Sequence, residues 1–103
     1  MAEKPDDDLL IQALAKPVKA HGEEITELRC RRPTGKDVLE LGNPVMVDPF
    51  ADDPIKTARF DWGVMAPMIA RLAGVPMSTL GACEPSDLTT LAWKLAVFLL
   101  PRG

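Results

Sequence analysis

The chain has 103 residues, 47% apolar and 26% charged, with 15 acids against 12 cations and a net charge of −3. That is the length and composition of one globular domain, and its mild acidity speaks against a broad cationic footprint for nucleic acid. Cys30 and Cys83 stand far apart without a CxxC or Cys/His grouping. They are expected as reduced thiols of a cytosolic protein, neither a disulfide framework nor a zinc site.

Residues 1–8, Met1-Ala-Glu-Lys-Pro-Asp-Asp-Asp8, are acidic and poor in apolar side chains. They are expected to form a disordered arm ahead of a single domain over 9–103, and they are the opposite of a secretory signal peptide. From 9 to 32 the pattern is that of a β-hairpin. Leu9, Ile11 and Ala13 alternate with Leu10, Gln12 and Leu14, and Pro17 implies an edge or a bulge. His21-Gly22 supplies the turn. On the return strand Thr26, Leu28 and Cys30 share one face; Ile25 interrupts the other, polar face and implies a bulge or added burial near the turn.

Thr34-Gly-Lys-Asp37 is a capping-box-like start, with aspartate in the usual glutamate place, for a short helix over 34–41. Val38, Leu39 and Leu41 offer its apolar face, and Gly42 suits its end. Residues 43–60 hold Pro44, Pro49, Pro54 and Asp52-Asp53 with little periodicity, and are expected as a long, mobile connection. Asp61 can cap a helix over 62–73, closed by Gly74 and Pro76. Trp62, Met65, Ile69, Leu72 and Ala73 lie on one face of it, and Pro67 implies a kink or a broken start. After a turn or one 3₁₀ coil at 77–83, a last helix is expected over 85–100, with Pro101 stopping it. The class is α+β: an N-terminal β-hairpin or small antiparallel sheet followed by three helices, the last two an antiparallel pair.

That last helix carries two apolar stripes. Leu88, Leu91, Ala92, Leu95 and Leu99 form an ordinary core face, while Trp93, Val97 and Leu100 lie on roughly the opposite side. A helix apolar all round must be covered on both sides, by the hairpin or by another chain. Trp93, Val97 and Leu100, joined by Met65 and Met68, are therefore the candidate protein-binding residues. The methionines suit an adaptable binding face, and equally suit core filling.

No catalytic, cofactor or metal constellation emerges. His21 lacks a nucleophile partner and reads as an exposed turn residue. Asp6-Asp-Asp8 and Asp52-Asp53 lack the spacing of a calcium loop. Arg29, Arg31, Arg32 and Lys36 form a basic cluster without interleaved aromatics. They read as a solvated face pairing with the chain's own acids, or as a contact for an acidic partner.

Thr26-Glu-Leu-Arg-Cys-Arg-Arg-Pro-Thr-Gly-Lys-Asp-Val38, then Ile69-Ala-Arg-Leu-Ala-Gly-Val-Pro76, then Asp87-Leu88 and Phe98-Leu99 stand in this order. The set resembles the small tail assembly chaperones of contractile-tailed, Mu-like bacteriophages and their prophage relatives, over about residues 10–100. Cys30 replaces an apolar aliphatic of that family's pattern, and Val38 replaces a leucine. The resemblance implies a non-enzymatic chaperone of the host cytoplasm. Its implied partner is the helical tape-measure protein, with the tail-tube protein as a further candidate and self-association a second possibility. Two rival readings are a structural tail component and a small DNA-binding regulator, the latter because the Gly74-x-Pro76 connection has a helix-turn-helix look.

Overall fold

The computed structural model describes residues 10–100; the expectations for residues 1–8, Leu9 and Pro101 lie outside them. Two antiparallel strands, β1 (Leu10–Ala20) and β2 (Glu23–Cys30), open an α+β fold. Helix α1 (Gly35–Leu41), a two-residue pair of strands β3 (Val45–Met46) and β4 (Arg59–Phe60), and helices α2 (Trp62–Ala73), α3 (Met77–Gly81) and α4 (Pro85–Leu99) follow.

The hairpin turn is made by His21 and Gly22, both at positive φ (54° and 82°). This is the backbone that matches the right-handed twist of two strands joined by two residues. The ladder runs in register from Leu10↔Cys30 to Ala13↔Glu27 and resumes at Val18↔Ile25. Between these points β1 bulges through Leu14–Pro17, where proline has no amide to contribute. The bulge is anchored from outside the sheet: Ala15 N–H donates to Asp87 Oδ2 of α4 at 2.8 Å. The slip also changes faces on β2. Ile25, opposite buried Val18, packs against the core, whereas Thr26 is exposed instead of joining Leu28 and Cys30.

α4 packs along β1, α2 against β2, and α3 against both α2 and β1. One core results, from Leu28 and Cys30 on β2, Met65, Met68, Ile69 and Leu72 on α2, Leu80 on α3, and Leu91, Leu95 and Leu99 on α4. Polar pins fasten its edges. Thr79 Oγ1 donates to Lys19 O (2.7 Å), Arg31 N–H donates to Leu72 O (3.1 Å), and His21 Nε2 lies 3.0 Å from Gly74 O.

Several elements differ from the sequence expectation. Leu39 points into solvent instead of sharing a face with Val38 and Leu41. Trp62, at the first position of α2, is also exposed; the buried face of that helix includes Met68. α2 continues unbroken through Pro67. Segment 77–83 contains the one-turn α-helix α3 where a turn or one 3₁₀ coil was expected.

The 43–60 connection is not without structure: β3 pairs with β4, and a 3₁₀ turn over Pro54–Thr57 precedes β4. Asn43 holds its root by donating from Nδ2 to Leu99 O (3.1 Å) and accepting from Val45 N–H at Oδ1 (2.8 Å). α4 ends where Leu100 turns extended, with ψ 146°. Such a backbone is favoured for a residue preceding proline.

Candidate protein-binding surface

The first two quoted sequence motifs meet at one buried carboxylate. Asp37, 2% exposed, sits at the third position of α1, where it accepts from Thr34 N–H (2.9 Å) and from the Thr34 hydroxyl (3.1 Å). Arg31, just past β2, clamps it with two parallel bonds of 2.8 and 3.0 Å. Arg71 of α2 adds a contact at 3.3 Å and pairs with Glu40 at 2.7 Å. The Arg31 hydrogen bonds, helped by Thr34 and Arg71 against the cost of burial, hold the Asp37 carboxyl well below the usual carboxylate range. Asp37 is therefore ionised at neutral pH. The node is a clasp joining β2, α1 and α2, and it takes up part of the basic cluster read from the sequence. Arg29 contacts Glu27 at 3.5 Å, and Arg32 lies over the Phe98 ring, 4.9 Å from its centroid.

Of the residues singled out for protein binding, Met65 and Met68 are completely buried in the core. They fill the space between α2 and its neighbours and present no surface to a partner in this conformation. Leu100 is half-buried and packs against the core. Trp93 and Val97 are outward, Val97 73% exposed and Trp93 50%. Thus one side of α4 is committed to the core through Leu91, Ala92, Leu95, Ala96 and Leu99, and the opposite side is open, with Trp93 and Val97 set among Thr89, Thr90 and Lys94.

The sequence reading missed the neighbours of that open side. Phe60 of β4 stands edge-on to Trp93 (centroids 4.8 Å apart) and to Trp62 (5.9 Å), forming an aromatic row from the start of α2 to the middle of α4. Only the three-dimensional pairing of β3 with β4 places Phe60 there, so periodicity carried no signal for it. Edge-to-face contacts of this kind hold large rings rigidly, and rigid aromatic anchors are common where binding energy concentrates. α4 would be the segment to enter a DNA groove in the regulator reading. It turns Trp93 and Val97 outward with Lys94 as its sole cation, which leaves little to read base edges.

The thiols are not part of this surface. Cys30 is fully buried, and burial pushes its pKa up to about 11; Cys83 is half-buried, and its Sγ lies 3.5 Å from Thr79 O. In the native protein an aromatic disulfide reagent is expected to label Cys83 first, with Cys30 reacting only at the rate of unfolding. Equal labelling rates would show that the core opens locally around β2.

A family model described as phage tail assembly chaperone proteins, E, or 41 or 14, matches residues 13–100. No curated protein and no solved structure matches the chain. The match spans most of the sequence, and the chain belongs to this family of phage tail assembly chaperones. Membership favours a non-enzymatic role with tail proteins as partners.

Proposed function

We propose that this protein works in the host cytoplasm during tail morphogenesis, by covering apolar stripes of the helical tape-measure protein with the outer side of α4. The observation carrying the reading is the two-sided character of α4: a full core face through Leu91, Leu95 and Leu99, and an open face with Trp93 and Val97 beside Phe60 and Trp62. A long helical protein keeps such stripes exposed until a tube forms around it. Each large side chain newly buried against it would contribute on the order of 1.5–3 kcal/mol before association costs. That scale suits a cover that must later be shed.

Co-expression with the cognate tape-measure protein tests this. The tape-measure protein should become soluble and co-purify with the chain, and the chain should be missing from purified finished tails. An insoluble tape-measure protein in the presence of the folded chain contradicts the proposal. A stoichiometric amount of the chain in finished tails instead supports the structural-component reading.

A further inference from the structure

The edge of a β-sheet accepts further chain, and proteins commonly blunt it with proline, lysine, a bulge or a covering element. β1 carries all of these: Pro17, Lys16 and Lys19, the bulge through Leu14–Pro17, and α4 packed along it. α4 also bonds the β1 backbone, accepting Ala15 N–H at Asp87 and donating from Lys94 Nζ to Ile11 O. β2 is the other edge of this two-stranded sheet. It holds neither proline nor lysine, and the extra residues of the bulge lie on β1.

Ala20 and Glu23 close the two-residue turn, so Glu24 and Thr26 aim their N–H and C=O away from β1. Both residues are exposed, and among the described residues no backbone hydrogen bond from another element reaches them. α2 meets the backbone here past the strand's end, where Arg31 N–H donates to Leu72 O. Beside the edge a hollow of about 280 Å³ opens between β2 and the end of α2, walled by Glu23, Ile25, Glu27, Leu28 and Val75. Strand addition takes its affinity from such a backbone and its specificity from such a hollow.

The charge of the edge is acidic, and it stands in the wall itself. Glu27 is shared with Arg29 at 3.5 Å. Glu23 and Glu24 make no ion pair among the described residues, although Lys19 is opposite Glu24 in the ladder. Gly74, at the carbonyl end of α2, lines the same hollow and adds the negative end of the helix dipole.

We infer that the outer edge of β2 is a strand-addition site for an extended partner segment with basic side chains at alternate positions. The open backbone demands an extended chain, and the glutamates beside it set the charge of that chain. A second copy would lay the same three glutamates against these. Residues 1–8, with Glu3 and Asp6-Asp7-Asp8, would be repelled as well. The site is separate from the open side of α4.

The test uses the full chain and an end-capped peptide of alternating lysine and valine, eight residues long to match β2. One control peptide has glutamate for lysine, and another keeps the lysines with every backbone amide N-methylated. The Glu24 and Thr26 amides should gain protection from hydrogen exchange with the lysine peptide, and neither control should bind. Thr26→Pro removes an edge donor where proline is tolerated; it should weaken binding about tenfold and leave the melting temperature near that of wild type. Glu23→Lys, which leaves the backbone intact, should weaken binding severalfold and carries the test if Thr26→Pro fails to fold. Val97→Asp should change nothing. Failure of the lysine peptide to bind, equal binding of the N-methylated peptide, or protection that spares Glu24 and Thr26 overturns the inference. A dimer of the free chain that Thr26→Pro dissolves would assign the edge to a second copy and overturn it too.

Discussion

Replacing Asp37 with alanine is expected to lower the melting temperature by about 10–20 °C, corresponding to about 2–4 kcal/mol. The carboxylate supplies the start of α1 through Thr34, receives the paired bonds of Arg31, and reaches Arg71 on α2. Removing it frees the first turn of α1 and leaves two guanidinium groups facing each other. Both arginines are partly solvated, which keeps the cost below that of an ion pair broken deep in a core. Asp37→Asn separates charge from shape, since it retains an acceptor for Thr34 but not two for Arg31.

The same residue gives the protein an acid limb. Its pKa is depressed in the folded state by the Arg31 hydrogen bonds foremost. Its stabilisation is therefore complete above the ordinary aspartate value of about 4 and drains away as the pH falls below it. Thermal melts from neutral pH downward should show the wild type losing stability below about pH 4 more steeply than Asp37→Asn. Parallel acid limbs for the two proteins would remove Asp37 from the explanation.

The elements legible in the sequence were those written in local chemistry. His21-Gly22 between alternating strands, Asp61 before and Gly74 after a helical repeat, and Pro85 at a helix start each satisfy a backbone demand of the element they bound. The α+β class followed from them. Asp37 was legible as a cap, but its link to Arg71 was not, because the two residues are far apart in the chain and meet only when α2 packs on β2. Pro17 and Ile25 pointed to the bulge and to added burial near the turn, but the face of Thr26 was misplaced. The odd slip between Ala13 and Val18 brings Ile25 inward and sends Thr26 out, although strict alternation from Leu28 places Thr26 inside.

The candidate surface was half legible. The sequence pattern of α4 shows two stripes but carries no information on which methionines the core will absorb. Met65 and Met68 went inside because α2 lies between β2 and its neighbours and needs its whole inner face filled. What remained outside, Trp93 and Val97, is extended by Phe60 and Trp62 from elements with no helical period of their own. In α1, too short at seven residues to define a stripe, Leu39 read as core and turned out exposed.

The most direct measurement is the affinity of the purified chain for the cognate tape-measure protein, compared between wild type and Val97→Asp, with thermal stability measured alongside. Val97 lies on the open side of α4 and touches little of the core, so the substitution should leave the melting temperature within about 2 °C of wild type, as surface changes usually do. A carboxylate in place of an isopropyl group at an apolar contact should weaken binding by about tenfold to a hundredfold. Leu95→Ala is the converse control, expected to cost about 2–5 kcal/mol of stability from the core face. Unchanged affinity in a folded Val97→Asp protein would contradict the assignment of the outer side of α4 as the binding surface.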